Sequence, residues 1–245
     1  MPISANTLFH FTRDYGTLVK ILQSKLFPRL CLEEKIVSQL PMKLAIPMVC
    51  FCDIPLSQIS NHASKYGHYA IGIRKDWAMQ QGVTPVLYVH DNSLIPQTIF
   101  TEIRELSTKI TTEKDKSLSK MMRYLDTICM MKPYSVINEQ TGVEVRYYDE
   151  REWRYVPPRK SDDQFCYLIE EHYNKEDTRK SIDRENEEYG VTFHPDVINY
   201  LIVDKESEVL RFKQVIENIK GDFSHSSVEL LTTRIISMER IRDDV

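Results

Sequence analysis

The sequence predicts an α+β fold in a single domain, and three observations predict it. Short runs rich in aromatic and β-branched residues recur along the chain, among them Thr7–Thr12, Pro85–His90 and Val197–Asp204. Such runs read as strands. Between them lie stretches whose apolar residues return at spacings of three and four, the signature of one helix face. Finally, the 245 residues contain no repeat, no Pro/Ser-rich linker and no break in composition, so one domain spanning 1–245 is expected.

Taken in order, Thr7-Leu-Phe-His-Phe-Thr12 is the first strand. From Tyr15 to Leu26, Leu18, Ile21 and Leu22 form an apolar helix face that Pro28 should end. Residues 27–43 read as irregular. Leu44–Phe51 is apolar but holds Pro47, which suits an edge or interrupted strand because proline has no N–H to donate. A short helix is expected over 56–66, a strand over His68–Arg74, a helical turn over Trp77–Gln81 closed by Gly82, and a strand over Pro85–His90. Residues 96–131 carry helical periodicity with many charges and read as two helices. Glu144–Pro157 holds at least one strand, and 165–170 is strand-like. Residues 170–188 carry 8 acidic and 4 basic side chains, which predicts a solvated, mobile charged insertion. Val197–Asp204 is a buried strand, 206–219 an amphipathic helix, and Val228–Ile236 a final strand.

Composition excludes several functions. Lys+Arg is 32 and Asp+Glu 36, a net charge of -4, which argues against a strongly basic, non-specific nucleic-acid binder. Only 7 glycines occur, with neither GxxxxGK[ST] nor GxGxxG, so the glycine-rich phosphate loops are absent. No apolar run reaches the roughly 18 residues of a membrane span, and the first residues lack a signal peptide's basic start and apolar core. The 5 cysteines, Cys31, Cys50, Cys52, Cys129 and Cys166, are an odd number without CxxC. Free thiols in a reducing cytoplasm are expected, as is the absence of a metal, since Cys50-Phe-Cys52 lacks a second ligand pair at suitable spacing.

Two strands carry candidate chemistry. Along Leu8–Thr12, alternation puts His10 and Thr12 on one face and Phe9 and Phe11 on the other. Polar groups on an otherwise apolar strand call for partners, either a ligand or a hydrogen bond inside the core. In Asp149–Tyr155 alternation groups Glu150, Glu152 and Arg154, which suits either a buried acid or a solvated Glu–Arg face. Tyr66 and Tyr69 flank a strand start and suit packing or a platform for a flat ligand.

The opening Leu8-Phe-His-Phe-Thr12 with Leu18-Val-Lys-Ile-Leu22 resembles the start of ADP-ribosyltransferase-like proteins, where an HxT strand precedes an L-x-x-I-L helix. Pro47-Met-Val-Cys-Phe-Cys-Asp-Ile-Pro-Leu56, Tyr66-Gly-His-Tyr-Ala-Ile-Gly-Ile73, Lys75-Asp-Trp77 and Glu152-Trp-Arg154 resemble the AbiGi family of bacterial abortive-infection proteins. The resemblance covers roughly residues 7–157. It implies a phage-defence role in a two-protein abortive-infection system, in which AbiGi is described as the antitoxin. It also implies an ADP-ribosyltransferase-like fold with a split antiparallel β-sheet, flanking helices and a cleft for NAD as co-substrate.

Carried over by position, Glu152 would be the catalytic acid, aided by His10. His10 and Thr12 would meet the nicotinamide-side ribose, Tyr66 or Tyr69 would stack on the nicotinamide, and Cys52 would stand where many transferases have Ser or Thr. The chemistry suits those residue types, because a carboxylate stabilises the positive charge that grows on a ribose carbon as its glycosidic bond breaks. Two functions remain open on this resemblance. One is an NAD-using transferase acting on a nucleic acid or protein. The other is a catalytically silent, antitoxin-like module that binds a partner toxin.

Overall fold

In the computed structural model, which describes residues 4–33, 43–109, 114–138, 140–158 and 167–244, helices and strands alternate along the chain. The elements are β1 (Thr7–Thr12), α1 (Tyr15–Gln23), β2 (Arg29–Leu32), β3 (Leu44–Cys52), α2 (Ile59–Tyr66), β4 (Tyr69–Arg74), α3 (Lys75–Gln80), β5 (Thr84–Pro85) and β6 (Leu87–Val89). Then come α4 (Leu94–Lys109), α5 (Lys114–Cys129), β7 (Met131–Pro133), β8 (Ser135–Ile137), β9 (Glu144–Arg146), β10 (Glu152–Tyr155), β11 (Leu168–Ile169), α6 (Glu170–Tyr173) and α7 (Glu176–Glu185). The last are β12 (Ile198–Val203), α8 (Val209–Ile219), α9 (His225–Thr232), β13 (Ile235–Ser237) and α10 (Met238–Asp244). The chain is thus mixed α and β. Two compact units form, one from 1–26, 50–84 and 190–245, the other from 27–49 and 85–189.

The first unit is built on a sheet in which β4 lies between β1 and β12, and β13 flanks β12. β1 and β4 are antiparallel over their whole length, from Thr7 opposite Arg74 to Thr12 opposite Tyr69. β12 and β13 run parallel, so the sheet is mixed, which corrects the expectation of a wholly antiparallel one. Phe9 stands opposite Cys52 and packs with Ile54, Ile59, Ala63, Ala70, Ile202, Met238 and Ile241. Each of the isoleucine and methionine side chains contributes roughly 1.5–3 kcal/mol by leaving water. A Cβ on Gly72 would stand 2.9 Å from the Phe9 ring, so the absent side chain makes room for that ring.

Helix α1 starts where Asp14 accepts the Thr17 N–H at 2.8 Å, a side-chain N-cap. It ends at Gln23 rather than running on to Leu26. Leu26 instead exchanges backbone hydrogen bonds with Val191, a long-range pairing that overrides helical periodicity. The Val228–Ile236 run is likewise corrected. Its first part is helix α9, capped by the Ser224 hydroxyl, and only Ile235–Ser237 is strand.

In the second unit the start of β3 is not an edge, because Ala45 pairs with Leu32 of β2 on one side and Leu168 of β11 on the other. Pro47 sits opposite Leu30 within this pairing. β6 and β7 form a parallel pair and β8 and β9 an antiparallel hairpin. Helices α4 and α5 bury Ile99, Leu106, Met122, Ile128 and Cys129.

The acidic stretch 170–188 folds as α6, α7 and a following 3-10 turn, and it holds β2. Asp183 accepts the Leu30 N–H at 2.8 Å and Glu187 pairs with Arg29 at 3.0 Å. Those bonds join the stretch to its unit. Cys166 and residues 34–42, most of the stretch expected to be irregular, lie outside the described residues.

Candidate functional site

Around Glu152 in the second unit, five charged side chains meet. Glu152 opens β10, and its predecessor Arg151 holds a left-handed backbone with φ 47°. That turn separates Glu150, in a 3-10 turn, from the strand proper. Simple alternation over 149–155 is therefore broken at Arg151. Within β10, Glu152 and Arg154 face inward while Trp153 and Tyr155 are half-buried, so the Glu–Arg face is interior rather than solvated.

The Lys132 ammonium lies 2.6 Å from Glu152 Oε2 and 3.0 Å from Glu150 Oε2. It also sits 4.8 Å from the centre of the Tyr147 ring. Arg154, fully buried, donates from Nε to Glu152 Oε1 at 2.6 Å and from Nη2 to Glu152 Oε2 at 3.2 Å. Its remaining donors reach the Cys129 carbonyl oxygen at 3.0 Å and the carboxylate of Glu33. Both oxygens of Glu152 are thus engaged by cations. The strand itself is fixed by the Val86 N–H on the Glu152 carbonyl at 3.1 Å and by the Glu152 N–H on the Tyr88 hydroxyl at 2.8 Å.

Burial pushes the Glu152 carboxyl up, but Arg154 and Lys132 outweigh it and bring it down to about 2. Burial lowers the Lys132 amine, yet the carboxylates of Glu152, Glu33 and Glu150 raise it overall. Burial likewise raises the Tyr88 hydroxyl to about 12. The network carries three carboxylates and two cations, and every charge in it has an opposite partner. Sequence reasoning missed Lys132 and Glu33. The signal for Lys132 is a single charge inside the apolar Met130-Met-Lys-Pro133. Glu33 follows directly on Leu30-Cys-Leu32, a strand that was read as irregular chain.

His10, Thr12, Cys52, Tyr66 and Tyr69 belong to the first unit. His10 Nδ1 lies 2.8 Å from the Cys50 carbonyl oxygen. A carbonyl only accepts, so Nδ1 carries the proton and Nε2 of the neutral ring is an acceptor. Burial lowers the imidazole below its ordinary value, against the opposing pull of that carbonyl. Thr12, buried, stands opposite Tyr69, whose hydroxyl donates to Glu208 at 3.0 Å. Burial first and Glu208 second raise that hydroxyl to about 12.

Tyr66 packs against His62 with ring centres 4.5 Å apart, and His62 against Phe11 at 5.1 Å, both pairs tilted. Phe11 lies on the sheet face opposite His10, so Tyr66 sits towards one face and Tyr69 with Thr12 on the other. Cys52 is buried in the apolar cluster on the Phe9 face. Gly67 joins these pieces. Its φ is +119°, and a Cβ there would fall 2.2 Å from the Thr12 carbonyl oxygen, so only glycine lets the chain pass this close to β1.

No group of three or more His, Cys, Asp or Glu side chains suited to a metal ion occurs among the described residues. No helix of the described residues is long and apolar enough to cross a membrane.

The family model described as "Putative abortive phage resistance protein AbiGi, antitoxin" matches residues 24–204. The abortive phage resistance protein AbiGi of Lactococcus lactis subsp. cremoris is 28% identical over 228 residues, covering 81% of this chain and 88% of that protein. No solved structure matches.

Proposed function

The chain belongs to the AbiGi family of abortive phage resistance proteins, and on that premise we propose that it acts as the antitoxin of a two-component system, restraining a partner toxin by binding it rather than by turnover. One observation carries this reading: Glu152, the residue that would serve as catalytic acid, has both carboxylate oxygens held by Lys132 and Arg154 inside a buried network. A carboxylate so engaged is a structural anchor. Three of its roughly four acceptor positions are taken by cations, its side chain is buried, and removing either cation would cost roughly 3–5 kcal/mol.

A second reading, an ADP-ribosyltransferase-like enzyme, draws on the same carboxylate. Glu152 stays ionised throughout the neutral range, and a fixed negative charge is what an oxocarbenium-like ribose needs. In that chemistry the bond from the ribose carbon to the nicotinamide nitrogen breaks and nicotinamide leaves. A nucleophile of the acceptor then bonds to the same carbon and loses its proton. His10, Thr12 and Tyr69, which share one face of the first unit's sheet, are the proposed NAD contacts on this reading.

The test runs NAD consumption and toxin neutralisation side by side on the wild-type protein and on His10→Ala. The binding reading expects no NAD consumption and unchanged neutralisation by His10→Ala. NAD consumption by the wild type that falls in His10→Ala, with neutralisation lost alongside it, would replace the binding reading with the enzymatic one.

A further inference from the structure

The proposed toxin needs a surface to hold, and the hairpin β8–β9, like the pair β6–β7, forms a sheet of its own. It is a sheet of two strands, and no other strand of the described residues pairs with either. Two strands alone are marginal, and their outer edges carry backbone groups ready to pair.

The register shows which groups face outward. The Asn138 N–H donates to the Val143 carbonyl at 2.9 Å, closing the hairpin as a hydrogen-bonded pair. Hydrogen-bonded and non-hydrogen-bonded pairs alternate along an antiparallel ladder. Val136 and Val145 therefore bond each other, whereas Ser135 and Ile137 direct their N–H and C=O groups away from β9.

Five of the eleven large apolar side chains exposed among the described residues lie at the same place or beside it. Leu87, Tyr134, Ile137, Val143 and Tyr148 all belong to β6, the hairpin and its flanks. Ile137 and Val143 are 63% and 61% exposed. Tyr134 and Tyr148 stack with ring centres 5.4 Å apart, and Tyr88 meets Tyr148 edge-on at 5.3 Å. These rings are already fixed, so a partner meeting them loses little side-chain freedom, and tyrosine is over-represented among the residues that dominate binding energy.

We propose that the outer edge of β8 receives an extended, mainly uncharged segment of the partner toxin, which adds as a third strand and seats an apolar side chain on the Tyr134–Tyr148 stack. The unpaired edge calls for an extended segment, and the Ile137 side chain and tyrosine rings call for an apolar one. The proposal rests on the antitoxin reading above.

The test measures affinity for the purified companion toxin of the two-gene system. Ile137→Pro removes the outward N–H while leaving the hairpin's inward bonds in place. Tyr148→Ala removes the stack, and Leu230→Ala, at an exposed leucine of the first unit, is the control. Ile137→Pro and Tyr148→Ala should each weaken binding at least about tenfold, with Leu230→Ala unchanged and thermal midpoints preserved. Should Ile137→Pro fail to fold, Ile137→Asp takes its place, with the same loss expected.

Wild-type-like affinity in both hairpin variants would overturn the docking site while leaving the antitoxin reading standing. So would a wild-type dimer that these substitutions dissociate without loss of toxin binding, because the edge would then hold a second copy. A wild-type protein that binds no companion toxin would overturn both.

Discussion

Glu152 is the residue on which the functional readings diverge, and its titration separates its structural role from chemistry. Its carboxyl is lowered from 4.5 to about 2, so the stability it contributes is fully present above pH 4.5 and is lost as pH falls towards 2. The loss is on the order of 3 kcal/mol. Denaturant unfolding at pH 7 and pH 3 should show about 2 kcal/mol of it in the wild type, and Glu152→Gln should be less stable at pH 7 and flatter across that window. Parallel curves would mean that the ion network does not hold Glu152.

Arg154→Lys should cost about 3 kcal/mol by the same measurement. One ammonium cannot serve the Glu152 and Glu33 carboxylates and the Cys129 carbonyl together, and wild-type stability in this variant would contradict the network. The sequence offered Glu152 as either a buried acid or a solvated one. Periodicity cannot choose between these, because the choice depends on Lys132, twenty residues earlier, and on Glu33 beyond it. His10 was legible as a polar interruption of an apolar strand, but its partner is a backbone carbonyl, which no residue identity reveals.

At the scale of elements, Gly67 ties the start of β4 to the end of β1. Gly67→Ala would place a methyl group against the Thr12 carbonyl and require a positive φ that alanine resists. A loss of about 3 kcal/mol or more is expected in thermal or denaturant unfolding. A near-neutral result would contradict the close approach. Asp183→Ala should cost about 1–2 kcal/mol and speed hydrogen exchange at the Leu30 amide, which loses its acceptor. Unchanged exchange there would return 170–188 to the status of a solvated insertion.

Several strands and helices could be read from local periodicity, among them β1, β4, β12, α8, and the pair α4 and α5. The failures share one cause. Leu26, Ala45 and Ile235 are placed by partners far away in the chain, at Val191, at Leu32 and Leu168, and at Leu201. The acidic composition of α6 and α7 spoke for solvent, while two of its side chains hold β2.

For the whole molecule, the sequence showed no linker because each unit is assembled from separated segments, and the chain passes from one to the other within β3. Composition and pattern nevertheless read the mixed α and β class correctly, and the motifs from Pro47 to Arg154 pointed to the family that matches residues 24–204. Restraint of a toxin by occupancy, as proposed, is stoichiometric. A titration tests it most directly: fixed companion toxin, increasing amounts of this protein, and residual toxin activity read with and without NAD. Restraint by occupancy gives a linear fall to a sharp end point at a fixed molar ratio, identical in both arms. Complete neutralisation by a small fraction of an equivalent, seen only when NAD is present, would contradict it.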